Sequence, residues 1–253
     1  MNTGKIALVT GGSRGIGKDI VESLAKKGVN IVFTYHTNKD KAEEVLDLVR
    51  QSGVQAWAIP LDVVDLRSFD SFIQRVIATL KNDLGVDRID YLVNNAGTAM
   101  YQPLHDATEE QADEALTIHY KAVLFLTQKL LPYLQDGAGI VNISSGLTRM
   151  TFAGSALYAS AKAAVEVLTR YMAREFSDRK IRANVVAPGA IETDFGGGRT
   201  RDNKEINAHI ASVTALGRAG LPSDIGGVVA FLCSPEASWI NGQRIEVSGG
   251  MML

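Results

Sequence analysis

Thr10-Gly11-Gly12-Ser13-Arg14-Gly15-Ile16-Gly17 is the stretch that decides the fold. The apolar run Ile6-Ala7-Leu8-Val9 precedes it, and Ile16, Ile20 and Leu24 then recur on one helical face until Gly28. A short buried strand, a glycine-rich turn and an amphipathic helix in that order form the first half of a βαβ unit. Glycines at 11, 15 and 17 permit a tight turn, close approach of backbone to phosphate, and close packing of helix on strand. The helix N-terminus then aims free N–H groups and the positive end of its dipole at a pyrophosphate. The spacing is G-x-x-x-G-x-G rather than the commoner G-x-G-x-x-G, so its place at the first strand-to-helix turn carries the reading. A glycine-rich turn without a ligand is the alternative.

Working outward, β-branched runs at 5–10, 30–35, 55–60, 89–94, 139–144, 181–187 and 244–247 alternate with helical patterns at 15–27, 39–52, 66–81, 108–133, 155–177 and 222–234. The strand candidates are continuous apolar stretches, as expected where both faces of a sheet are covered. This alternation predicts an α/β fold with a doubly wound, seven-stranded parallel sheet and helices on both faces. Without repeats or linkers, residues 1–253 read as one domain. The rhythm breaks only at 190–213, where Gly196-Gly197-Gly198 is followed by Arg199, Arg201, Asp202 and Lys204. Long insertions of this kind are functional lids or tolerated surface loops, and a substrate lid is the preferred expectation.

Composition narrows the function. The chain has 26 Lys+Arg against 28 Asp+Glu, a net charge of −2, with 46% hydrophobic and 21% charged residues. That is a globular balance with no field to recruit nucleic acid or an acidic membrane. One cysteine, Cys233, rules out an intrachain disulfide, and four scattered histidines lack the spacing of a helical metal site. No metal is expected. The longest apolar run, 228–233, is far short of a membrane span, and the N-terminus lacks a signal-peptide pattern. A soluble cytoplasmic protein is expected.

The residues after the second strand set the choice of nucleotide. A carboxylate there would hold a ribose 2′-OH, whereas basic and polar groups suit a 2′-phosphate. Gly28 to Lys39 contains no acidic residue; the strand ends Tyr35-His36-Thr37-Asn38, and Arg14 lies in the turn below. NADP(H) is therefore expected over NAD(H). Asp62, followed by Val63, either meets the adenine or caps the next turn. Asn94-Asn95-Ala96-Gly97 ends the fourth strand with small residues against which a nucleotide can lie, although the amides can equally bind neighbouring backbone.

The reacting groups lie further on. Tyr158 and Lys162 are four apart in a helical stretch and share a face. The ammonium is expected to stabilise the phenolate, lowering the tyrosine pKa and making an acid–base group. Tyr35 and Lys39 have the same spacing but straddle a strand end, so position rather than spacing singles out the second pair. Ser144-Ser145 ends a strand, where a hydroxyl can polarise a carbonyl.

Together, Thr10-Gly11…Gly15-Ile16-Gly17, Asn94-Asn95-Ala96-Gly97, Ser145, Tyr158/Lys162 and Pro188-Gly189 with Thr193 resemble the short-chain dehydrogenase/reductase family, in its single-domain form with a Rossmann fold. The resemblance implies Tyr158 as proton donor or acceptor, Ser145 as carbonyl-orienting group, and Lys162 on the tyrosine and the ribose. It also implies a nicotinamide site at Pro188, Gly189, Ile191 and Thr193. One position departs: where the family commonly has Asn in the long fourth helix, this chain has His119. A histidine there can bind a water and carry a proton, or can simply pack.

The expected function is an NADPH-dependent carbonyl reductase, reversible as a secondary-alcohol dehydrogenase, acting on a small-molecule ketone or alcohol. The end of the chain, Ile240-Asn241-Gly242-Gln243…Gly249-Gly250, resembles the 3-oxoacyl-carrier-protein reductase branch, which is the first alternative. Residues 131–137 carry no Lys or Arg for an acidic carrier, leaving Arg170, Arg174, Arg179 and Lys180 as the candidate patch. A non-catalytic dinucleotide sensor is a further alternative. The resemblance also implies a homotetramer, with the apolar tail Met251-Met252-Leu253 buried at an interface.

Overall fold

The computed structural model describes residues 4–253. Seven parallel strands form one sheet: β1 (Ile6–Val9), β2 (Asn30–Tyr35), β3 (Ala56–Pro60), β4 (Ile89–Asn94), β5 (Leu134–Ile143), β6 (Arg182–Pro188) and β7 (Arg244–Val247). Their order is β3-β2-β1-β4-β5-β6-β7. The chain winds outward from β1 in one direction and resumes at β4 in the other. The order therefore reverses between β1 and β4, where Val9 pairs with both Phe33 and Val93. A crevice opens beyond the carboxyl ends of the strands at such a reversal.

The strands are buried on both sides because successive side chains point to opposite faces. Ile6 and Leu8 of β1 enter one core with α3 (Phe69–Leu84) and α6 (Ala156–Glu175). Ala7 and Val9 enter the other with α1 (Gly15–Ala25), α2 (Lys39–Arg50) and α9 (Ser223–Leu232). Continuous apolar strands are thus a direct consequence of two covered faces. Among the described residues, no helix is long and apolar enough to cross a membrane.

Three boundaries differ from the sequence reading in ways that matter to the site. The helix expected over 108–133 is broken into α4 (Glu109–Leu116), a π-turn at Thr117–Lys121, and α5 (Ala122–Leu130). Thr108 starts α4 with a reciprocal capping box to Gln111. The wider π-turn carries His119, a local geometry that apolar periodicity does not reveal. Strand β5 begins at Leu134 instead of 139, because Ile89 and Tyr91 pair with Leu134 and Gly139 across a register shift. Segment 190–213, expected to be irregular, contains α7 (Arg199–Asp202) and α8 (Lys204–Ser212). Its three glycines all have positive φ, at 61°, 72° and 76°.

One residue of the tail is already covered by its own chain. Met251 is buried within its own chain beside Met150, Ile210 and Ala219, while Met252 and Leu253 are exposed. The antiparallel bridge between Thr214 and Met251 holds it there.

Candidate active site

The glycine turn is clipped to the exit of β4 by a set of short hydrogen bonds. Thr10 Oγ1 accepts from the backbone N–H groups of Asn95 at 2.9 Å and Ala96 at 3.0 Å. Asn95 Nδ2 donates to the carbonyls of Thr10 and Gly11, each at 3.0 Å. From the other side, Gly11 N donates to Thr34 Oγ1 at 3.0 Å. The turn is therefore held between β2 and β4 at the point where the sheet order reverses. No side chain caps α1, and no acidic residue stands in its first turn. Its free N–H groups remain available to an anion, so the site fits a dinucleotide pyrophosphate.

A cavity of about 940 Å³ runs from this turn to the first turns of α6. Gly11, Ser13, Arg14, Gly15, Ile16 and Gly17 line one end of it, together with Tyr35, His36, Asp62 and Val63. Ala96 and Gly97 form a wall, and Pro188, Gly189, Ile191 and Thr193 continue it beyond β6. Asp62 is a turn aspartate, its Oδ1 accepting from Val64 N at 2.9 Å, and it also lines the cavity. The helical cap nearby is Asp65.

Three nucleotide candidates lie off the cavity wall. Asn94 is buried, and its amide donates to Asn142 Oδ1 at 2.8 Å and Thr127 Oγ1 at 3.1 Å. Its side chain serves the interior because it is the last residue of β4 and points into the sheet's helical cover. Asn38 accepts from Lys41 N at 3.0 Å as the N-cap of α2, and Thr37 precedes it outside the cavity.

At the other end of the cavity, α6 brings Tyr158 and Lys162 to one buried face. Lys162 Nζ donates to the Ile143 carbonyl at 2.7 Å and lies 5.8 Å from the Tyr158 ring centre. The expected lowering of the tyrosine pKa is not what this geometry gives. Burial holds the Tyr158 phenol well above its ordinary value, and a hydrogen bond with Ser145 opposes the shift only in part. The ammonium is drawn toward the β5 carbonyl, and burial pulls its own pKa down to about 8.

Ser145 N-caps the short turn Gly146–Thr148, its Oγ accepting from Leu147 N at 3.2 Å. A brace that sequence reading missed holds this turn. Glu166 accepts from Ser144 Oγ at 2.7 Å, Thr148 Oγ1 at 2.8 Å and Arg244 Nε at 2.8 Å. Its sequence signal was slight: one of two acids in the helix bearing the Tyr–Lys pair. The cavity's apolar end was equally illegible. Tyr101, Met150, Phe152, Phe195, Ile206 and Met251 come from four separate stretches of chain with no shared motif.

His119 is fully buried, with its ring edge-on to Tyr158 at 4.9 Å between centres. Its two ring nitrogens are the buried side-chain atoms without a hydrogen-bond partner among the described residues. Burial and the nearby Lys162 charge push its pKa down to about 3, so the ring is neutral at physiological pH. It therefore does not hold a second proton as an imidazolium at neutral pH.

Burial of Lys162 makes a stability prediction with a definite sign. Below about pH 8 the amine is charged in both folded and unfolded chains, and the full desolvation penalty, on the order of 3 kcal/mol, applies. Between about pH 8 and its usual value of 10.5 the folded chain releases the proton first, and the penalty disappears. The unfolding free energy of the wild-type protein minus that of Lys162→Met should thus rise across this window. Tyr158 and Cys233 are present in both proteins, so urea titrations at several pH values isolate the lysine. A flat difference would mean that the amine is not desolvated.

A glycine-lipped anion site at a sheet reversal, joined by one cavity to a Ser–Tyr–Lys cluster, defines a Rossmann-type oxidoreductase. The chain belongs to the short-chain dehydrogenase/reductase family: a family model described as enoyl-(acyl carrier protein) reductase matches residues 11–252. The hydroxynaphthalene reductase-like protein Arp2 of Metarhizium brunneum is 37% identical, over 98% of this chain and 94% of that protein. Hydroxynaphthalene reductase arp2 of Aspergillus fumigatus is 34% identical, over 95% and 90% respectively. Among solved structures, the reductase LugOII, described as catalysing keto-reduction at C1 during lugdunomycin biosynthesis, superposes with a TM-score of 0.94 at 34% identity, covering 99% of this chain and 98% of that one. The landomycin C-6 ketoreductase LanV with bound NADP and rabelomycin superposes at 0.90 and 34% identity, covering 99% and 97%.

Proposed function

We propose that this protein is an NADPH-dependent ketoreductase acting on a carbonyl carried by a flat ring system. The observation that carries the reading is the single cavity joining the uncapped N-terminus of α1 to Ser145, Tyr158 and Lys162. When bound there, the nicotinamide would supply the hydride. Tyr158 gives a proton to the carbonyl oxygen, and the protonated state that reduction requires is the one burial favours. Ser145 donates a hydrogen bond to the same oxygen, keeps its own proton, and orients the carbonyl. Lys162, its ammonium anchored on the Ile143 carbonyl, holds the ribose. His119 packs its neutral ring against Tyr158 and fixes the plane of the phenol.

Arg14, Tyr35 and His36 at the adenosine end support the 2′-phosphate, and the NADP-bound LanV agrees with that preference. Aromatic and methionine side chains at the far end support a planar apolar substrate, as do the ring-system names of the relatives. Residues 190–213 act as the substrate lid, hinged at the three glycines, on a chain that is one domain. The carrier-protein alternative has less support. Arg179 is tied to Asp136 and to the Leu131 and Leu134 carbonyls, and Arg170 to the Glu166 carbonyl. The protein works in the cytoplasm as a homotetramer, built on exposed Phe125, Val167 and Tyr171 and on exposed Phe231 and Trp239.

Oxidation of NADPH and of NADH against open-chain ketones, ring ketones and acyl thioesters tests the reading. NADPH with ring ketones should give the highest kcat/KM. A preference for NADH, or faster turnover of thioesters, would replace it.

A further inference from the structure

Beyond Tyr158 the cavity wall carries one guanidinium, Arg199, the first residue of α7. Its Cζ lies 4.9 Å from the centre of the Tyr101 ring. Among the described residues no carboxylate oxygen lies within 4.0 Å of it. The contrast with Arg201, two residues on, is sharp: that guanidinium is closed by both Asp194 and Asp202. Glu114 and Glu205 also line the cavity, yet Arg199 rests on the tyrosine instead of pairing with either.

Stacking on an aromatic ring uses the face of a guanidinium and leaves its edge free. That edge presents N–H donors in a fixed fork and no acceptor. Arg199 and Tyr101 are both exposed, so they stand at the mouth, whereas Tyr158 is buried at the floor. A flat ring with its carbonyl at Tyr158 extends its far edge toward the mouth. Two carboxylates on the same wall deny the mouth a net positive charge, so recognition there depends on directed N–H groups rather than on the field.

We infer that Arg199, stacked on Tyr101, selects ring ketones that carry an acidic hydroxyl on the edge remote from the carbonyl, by donating its free N–H groups to the oxyanion that this hydroxyl forms and its methyl ether cannot. The inference rests on the ring-ketone reading above and names the residue that chooses among such ketones. The positive-φ glycines 196, 197 and 198 lead directly into Arg199, so the position of the donor is set by the lid backbone and pinned by Tyr101.

The test uses the full chain with NADPH and two substrates of one shape, a ring-hydroxylated tetralone and its methyl ether. Wild type should favour the hydroxylated ketone. In Arg199→Met the ratio of the two kcat/KM values should fall about tenfold, through KM of the hydroxylated ketone, the size expected for one hydrogen bond to a charged donor. Arg199→Lys, which keeps the charge and loses the fork, should recover only part of the ratio. Melting temperature and NADPH affinity check that each variant is folded. An unchanged ratio in Arg199→Met overturns the inference while the ring-ketone reading stands. Loss of the ratio in Glu205→Gln as large as in Arg199→Met assigns the selection to the carboxylate and overturns it too. If wild type binds NADPH and reduces neither ketone, the ring-ketone reading falls and takes the inference with it.

Discussion

Replacing Tyr158 with phenylalanine is expected to lower kcat by about 10³-fold and to leave NADPH affinity within about twofold of wild type. The substitution removes one oxygen and keeps the ring that packs edge-on against His119 and at 5.9 Å from Phe195. The phenol is buried, held in its protonated form, and linked to Ser145. No other group at this end can replace it: His119 is neutral and Lys162 is directed at the Ile143 carbonyl. Single-turnover oxidation of bound NADPH separates the chemical step from binding and release. A loss below tenfold would mean that another group delivers the proton, and the assignment of Tyr158 would fall. A large loss with equally large loss of NADPH affinity would instead mean that the phenol serves binding.

The same residues show how far the sequence could be read. The glycine turn was legible because it combines three signals: an apolar strand before it, glycines within it, and a 3.6-residue repeat after it. The Tyr–Lys pair was legible because its spacing of four falls inside a helix that follows a Ser-bearing strand end, where that spacing gives a shared face. What spacing cannot supply is direction and dielectric. It predicted an ammonium acting on a phenolate; the fold aims that ammonium at a strand carbonyl and buries both groups. Asn94 makes the same point. It lies one residue from Asn95, but the pleat turns the first amide into the core and the second onto the Gly11 carbonyl. The mouth joins Tyr101 and Arg199, nearly a hundred residues apart, and has no local signature.

Gly17→Ala separates local preference from tertiary constraint most cleanly. Gly17 is the third residue of α1, where helix propensity alone favours alanine by up to about 1 kcal/mol. Packing opposes it with much greater force. A Cβ at Gly17 would lie 2.0 Å from the Gly11 carbonyl oxygen and 2.5 Å from Asn95 Nδ2. The first of these is backbone, so relief requires α1 or the turn itself to move. Movement breaks the two bonds by which Asn95 holds the Thr10 and Gly11 carbonyls, and it displaces the uncapped N–H groups that border the cavity. Overpacking on this scale costs about 3 kcal/mol or more, and the net effect is destabilising despite the gain in propensity. NADPH affinity should fall by about a hundredfold, measured by fluorescence titration, with a lowered melting temperature. Gly28→Ala provides the control: its φ of +77° strains an alanine, but nothing lies within 4 Å of the added atom. That variant should lose about 1 kcal/mol of stability and bind NADPH as wild type does. Equal NADPH affinity in the two variants would show that the turn tolerates displacement, and the close approach of α1 to Gly11 would then have no part in holding the dinucleotide.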